Sequence, residues 1–190
     1  KDSFDFYATY RKFKLYWETH NLETIPIEFL LRLGDWHDSE LVKCTGDNPI
    51  RTHEVLLEYL KTVKKHIHVV SPVMQTEWLP VLAKLAASGV KQKGVFPDSI
   101  LQMFAKIAKE NNALELFNKT DFYSISDETP IPGILCSDTF ACFSIESKSI
   151  PNNYMDVKLY STNPKATQWG VDLFNYFKSK STPVKLKDYL

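Results

Sequence analysis

Two hydrophobic rhythms alternate along the chain. Residues 3–19, SFDFYATYRKFKLYWET, set Phe6, Tyr10, Phe13 and Trp17 at helical spacing, and Phe4, Tyr7 and Tyr16 widen the apolar face. A helix this aromatic has to bury itself against something. The choices are the domain's own core, a second copy of the chain, or an adjoining domain for which it forms the stem. IPIEFLLRLGDW (25–36) reads as a short helix closed by Gly34, and SELVKC (39–44) alternates like a strand. After the TGDNP break, residues 50–64 carry Val55, Leu56, Tyr59, Leu60 and Val63 as a helical stripe.

HIHVVSPV (66–73) has the nearly continuous apolar centre of a buried parallel strand. Thr76 is expected to cap the next helix, with Pro80 in its first turn, Leu79, Leu82, Ala83 and Ala86 facing inward, and Gly89 at its end. VKQKGVF (90–96) is the next strand. Asp98 is expected to cap a helix running to about Asn111, buried through Ile100, Phe104, Ile107 and Ala108. ALELFN (113–118) is expected to be a strand and 119–131 a loop. GILCSDTFACFSIES (133–147) reads as a hairpin turning at Ser137-Asp138-Thr139, and MDVKLYST (155–162) as a strand. Asn163 and Pro164 take the favoured N-cap and N1 places of the last helix, whose inner stripe is Ala166, Trp169, Gly170, Leu173 and Phe177. Strand-helix-strand-helix-strand from 66 to 118 predicts right-handed βαβ units. The expected class is therefore α/β: a central mixed, mainly parallel sheet flanked by helices, with an aromatic-rich N-terminal helix. The expected division is a helical stem or dimer contact over 1–36, an α/β domain over 37–181, and a tail over 182–190.

Composition narrows the partners. Of 190 residues, 23 are basic and 23 acidic, whereas a domain that grips nucleic acid through its phosphates carries a basic excess or stripe. Lys61, Lys64 and Lys65 form a local cluster that reads as a solvated helix end. No run of about 18 apolar residues exists to span a membrane, and no charged-then-apolar leader opens the chain. The first residue is Lys1, as in a processed chain or a fragment of a longer one. Cys44, Cys136 and Cys142 have no metal or redox spacing and read as buried small hydrophobes in a reducing cytoplasm. Whether Cys136 and Cys142 face each other across the hairpin depends on its turn length.

Candidate chemistry is sparse. His66 and His68, two apart on a strand, would share a face that a metal could use, but they stand at the start of the strand. Open α/β sheets bind ligands beyond the carboxyl ends of their strands. At that end Ser71, Trp78 and the helix start at Thr76 either line an anion-binding pocket or serve only as turn and packing. By the same strand-end argument Phe96, Thr139, Tyr160 and Ser161 complete the candidate ligand set. Turn chemistry also accounts for Asp138 and Thr139. No GxSxG, P-loop or GxGxxG sequence occurs, and no catalytic constellation, metal set or cofactor is expected.

Taken in order, HEVLLEYLKTV, HVVSPV with WLPVLAKLAASGV, ILCSDTFACFSI, and LYSTNPKATQWGVDLFNYFKS resemble the effector domain of archaeal winged-helix transcriptional regulators, the family of the middle domain of a methanogenesis regulatory protein. The resemblance covers residues 3 to 180. It implies a DNA-binding winged helix upstream of residue 1, a domain that senses a small-molecule effector or forms a homodimer, and DNA contact only through that upstream domain. Phe6, Tyr10, Phe13 and Trp17 are then the candidate dimer contact. It also implies the phospholipase D-like α/β fold. The corresponding hairpin, Cys136-Ser137-Asp138-Thr139, lacks the His-x-Lys pair of phospholipase D enzymes, which argues against catalysis. The alternative is a small hydrolase or phosphoesterase that uses Asp138 with His53 or His68.

Overall fold

The computed structural model of the protein describes residues 2–190. The aromatic N-terminal segment is two helices, α1 (Asp2–Lys12) and α2 (Lys14–Thr19), because Phe13 leaves the helical region at φ −112°, ψ 24°. The helix expected over 25–36 is likewise divided, into α3 (Ile27–Leu30) and a 3-10 turn at Leu33–Trp36. Gly34 lies inside that turn and does not stop a helix. A Cβ there would come within 2.9 Å of the Phe6 backbone nitrogen, so the glycine lets α1 rest directly on the turn.

The chain continues through β1 (Glu40–Lys43), α4 (Arg51–Leu60), β2 (His66–Val70), α5 (Leu79–Ala87), β3 (Lys91–Pro97) and α6 (Asp98–Glu110). It then adds β4 (Asp121–Ile125), the hairpin β5 (Gly133–Ser137) and β6 (Ala141–Ser144), β7 (Val157–Ser161), α7 (Pro164–Ser179) and β8 (Thr182–Val184). Three local expectations are corrected. Residues 114–117 form a 3-10 turn, and the strand after α6 is β4, inside the stretch read as a loop. Thr76 sits within a 3-10 turn, Thr76–Trp78, and its hydroxyl bonds the Glu77 side chain instead of capping a helix. Asp98 is the first residue of α6, and its carboxylate accepts from the Ser124 and Tyr189 hydroxyls. Asn163 does cap α7 by accepting from the Lys165 amide, with Pro164 behind it.

The eight strands form one sheet in the order β1-β7-β6-β5-β2-β3-β4-β8. Only β2–β3 and β3–β4 are parallel, and the other five junctions are antiparallel. The sheet is therefore mixed, as expected, but not mainly parallel. Hairpin β5–β6 followed by β7 extends one side by antiparallel steps, and the presumed tail returns as β8 beside β4.

Helices cover both faces. On one, α7 and the N-terminal helices pack over Val70, Ile134, Cys136, Phe143 and Leu159. Trp169 is the keystone: it meets Phe29, Trp36 and Phe143 edge-on at 5.7, 5.4 and 5.4 Å, and its Nε1 donates to Phe29 O at 3.0 Å. Burying each of Phe143, Leu173 and Phe174 contributes about 1.5–3 kcal/mol. On the other face α4 and α5 cover Ile67, Leu135, Cys142 and Tyr160, and α6 covers Phe96 and Phe122. Cys136 pairs with Ala141 and Leu135 with Cys142, so the two hairpin thiols point to opposite faces.

Candidate functional site

The mixed sheet divides the residues that strand-end reasoning grouped together. Ser71 and Phe96 stand at the carboxyl ends of the parallel strands β2 and β3. Strands β5 and β7 run the other way, so their carboxyl ends, with Thr139 and Ser161, lie at the opposite margin, beside the start of β2 and β6. There the Thr139 hydroxyl meets that of Thr62 at 2.8 Å, and Ser161 Oγ accepts from the Asn163 amide. Tyr160 lies inside the core, stacked on Tyr59 at 5.2 Å and donating to Thr52 O at 2.7 Å. Phe96 packs among Phe104 and Phe122. Of the N-terminal aromatics, Phe13 and Trp17 are buried in the chain's own core, and Phe6 and Tyr10 are half-buried, stacked 6.4 Å apart.

Only Ser71 and Trp78, among the six ligand candidates, line one cavity. It measures about 30 Å³ and lies on the α4–α5 side of the sheet, walled by Leu56, Val69, Leu135, Cys142 and Met155. Ser71 Oγ is committed locally: it donates to Val73 O and accepts from the Val73 amide. The free polar groups are two that strand-end reasoning missed, Lys158 of β7 and Ser144 of β6. Among the described residues no hydrogen bond engages the Ser144 hydroxyl, which stands over Gly133, where any Cβ would collide with it.

Lys158 is 3% exposed. Its ammonium lies 5.2 Å from the centre of the Trp78 ring, and Trp78 Nε1 in turn donates to His53 Nδ1 on α4 at 3.0 Å. Burial lowers the lysine's pKa, against a smaller upward pull from the Cys142 and Cys44 thiols. No carboxylate acts on it. Taking an ammonium out of water without a counter-charge is costly; Nζ is not among the fully buried polar atoms that lack a partner, and the ring face at this distance returns about 1–2 kcal/mol. The site is thus a small, largely apolar chamber lined by one lysine amine and one hydroxyl that make no hydrogen bond among the described residues.

The other candidate groups have structural employment. His68 stacks on Phe174 at 4.7 Å. Its pKa is lowered to about 4 by burial, with His66, Lys93 and Lys178 adding repulsion, so its surroundings are cationic and hostile to a metal ion. Among the described residues no group of three or more His, Cys, Asp or Glu side chains converges on a metal position. Burial would raise the Asp138 pKa, but the amides of Lys64, Lys65 and His66 donate to its Oδ1 and hold it low. Asp138 thereby anchors the start of β2, and no hydrogen bond joins it to a histidine side chain among the described residues.

A three-layer α/β/α sandwich on a mixed sheet that carries the β5–β6 hairpin beside β2 is the phospholipase D-like fold. Nuc from Salmonella typhimurium, a phospholipase D family member, shares it at a TM-score of 0.59 and 12% identity over 78% of this chain and 99% of that one. NucT from Helicobacter pylori does so at 0.57 and 10%, over 77% and 99%. TrmBL2, an archaeal chromatin protein whose structure shows a mode of DNA binding, matches at 0.61 and 14% over 77% of this chain. The present chain spans about half of TrmBL2, 54% of its length. No curated protein matches the chain. The chain belongs to the family described as Methanogenesis regulatory protein FilR1, middle domain, whose model matches residues 49–180. It is accordingly a regulatory-protein domain. No histidine in its 190 residues is followed two positions later by lysine, so the His-x-Lys pair of the phospholipase D enzymes is absent from the whole chain.

Proposed function

We propose that this domain is the non-catalytic, signal-receiving part of an archaeal transcription regulator. It binds a small-molecule effector in the chamber formed by Ser71, Trp78, Ser144 and Lys158, and passes the change to a winged-helix DNA-binding domain joined upstream of residue 1. The unpaired Lys158 in a preformed chamber carries the reading, because such a group is retained at a cost that a ligand can offset. Membership in a regulatory family supports it, as does the likeness of fold to a DNA-binding archaeal chromatin protein. The absence of His-x-Lys and the anchoring role of Asp138 weigh against a hydrolase. No helix among the described residues is long and apolar enough to cross a membrane. The reading sets the protein in the cytoplasm as a homodimer that meets through the N-terminal helices, where Phe4 and Tyr7 are exposed beside Phe6 and Tyr10.

Effector binding acts through different affinities for two arrangements of the full-length protein. The test is the affinity of full-length protein for its own promoter DNA, by fluorescence anisotropy, with and without the sub-kilodalton fraction of a source-cell extract. A change of 5-fold or more is expected, and Gly133→Val, whose side chain displaces Ser144 and closes the chamber, abolishes it. Indifference of the wild-type protein to the small-molecule fraction refutes the sensor reading.

A further inference from the structure

We infer that the effector is a small monocarboxylate whose carboxyl group enters the chamber and pairs with Lys158. This deepens, and rests on, the sensor reading above. Three observations select the chemistry. Charge comes first: one lysine is the only cationic side chain lining the chamber, with no arginine beside it, so one negative charge is balanced and the two charges of a phosphate dianion are not. Donors come second. Lys158 Nζ and Ser144 Oγ both lack hydrogen-bond partners among the described residues, and two donors suit the two oxygens of a carboxylate. Ser71 adds nothing, because its hydroxyl is spent on Val73. Size and polarity come third. About 30 Å³ admits a group the size of one or two waters, which is room for a carboxyl head and little more, and Leu56, Val69, Leu135 and Met155 give that space apolar walls.

The same geometry gives a route out of the chamber. Without a ligand, the ammonium has only the face of Trp78, and Trp78 is tied through Nε1 to His53 on α4. A carboxylate draws the ammonium toward itself and frees the indole. The hydrogen bond that fastens the 76–78 turn to α4 then becomes the first contact to respond to ligand. Trp78 and His53 are positioning residues in this scheme, and Lys158 is the group that touches the ligand.

Isothermal titration of the whole chain with sodium formate, acetate, propionate and butyrate, against acetamide, butyramide and inorganic phosphate at constant ionic strength, tests the assignment. At least one carboxylate binds. Its matched amide binds at least 10-fold more weakly, and phosphate does not compete. Lys158→Met, shown to be folded by circular dichroism, loses 10-fold or more in carboxylate affinity, and Ser144→Ala about 3-fold. In wild type, binding brings the Lys158 ammonium 1H–15N resonance into view by shielding it from exchange, a reading independent of whether the variant folds. Failure of every carboxylate to bind, equal binding of amides, or full affinity in Lys158→Met overturns the proposal. The sensor reading stands or falls separately: if extract still changes DNA affinity in Lys158→Met, a sensor remains and the carboxylate does not.

Discussion

Lys158 was hidden by its neighbours in sequence. Within MDVKLYST a lysine between apolar residues is what a half-exposed strand displays, so alternation assigns it to solvent. In the fold every residue of β7 is buried, because helices lie on both faces. The signal was present in a different place: the chain carries enough helices (α4, α5, α6 and α7) to cover both faces of one sheet, so a strand inside it has no wet face and a mid-strand lysine stands out. Ser71 and Trp78 were legible, because β2 ends there whatever its neighbours do. Two measurements test this scale. Without ligand, Lys158→Met should stabilise the protein by about 1–4 kcal/mol in denaturant unfolding, since it replaces a buried ion with an apolar chain of similar length. His68 gives a pH signature. Its folded pKa of about 4 lies below the ordinary value near 6.5, so its contribution is fully present above pH 6.5. That contribution is lost as the pH falls toward 4, where the unfolded chain takes up the proton first. His68→Leu should flatten the acid side of the stability curve between those pH values, and an unchanged slope would assign the loss to other groups.

Elements with strong periodicity were legible in type and place: α6, α7 and β3 nearly to the residue, and α4, β2 and the hairpin with ends three or four residues too late. What was missed is short. β8 has only three residues, and β4, Asp-Phe-Tyr-Ser-Ile, lacks the continuous apolar run that marks β2. Strand direction was missed for another reason, since βαβ logic applies only where a helix links the strands, and β5, β6 and β7 are joined without one. One contact between elements is unusually close: a Cβ at Gly170 of α7 would approach Cys136 Cβ to 2.9 Å. Alanine adds about 1 kcal/mol of helix propensity, while overpacking a buried strand costs about 1–3. Gly170→Ala should therefore lower thermal stability, and a rise in Tm would mean that α7 can lift from the sheet at no cost. The C-terminal strand is tested by truncation after Ser181. Loss of β8 and of buried Leu186 uncovers the β4 edge and the Phe117–Phe122 cluster, and the shortened chain should bind a hydrophobic dye and aggregate on warming.

The family match begins at residue 49, yet the core of the molecule does not. Phe13, Tyr16, Trp17, Phe29, Leu33 and Trp36 share one cluster with α7 and the sheet, and Tyr16 OH accepts the Ile145 amide. A fragment that starts at residue 49 should keep helical circular dichroism and lose its near-ultraviolet signal, as packed aromatics become mobile. A native near-ultraviolet spectrum would make the N-terminal helices an accessory. The two strands at the ends of the sheet order have a consequence for how copies can meet. β1 is four residues with Glu40 and Lys43 exposed, and β8 is three residues with Pro183, which has no amide proton to offer. Neither margin gives an incoming strand a long ladder of free donors and acceptors. A continuous sixteen-stranded ribbon of two copies is therefore disfavoured, and a helix-against-helix contact would be free to slide or rotate without tearing a hydrogen-bonded seam.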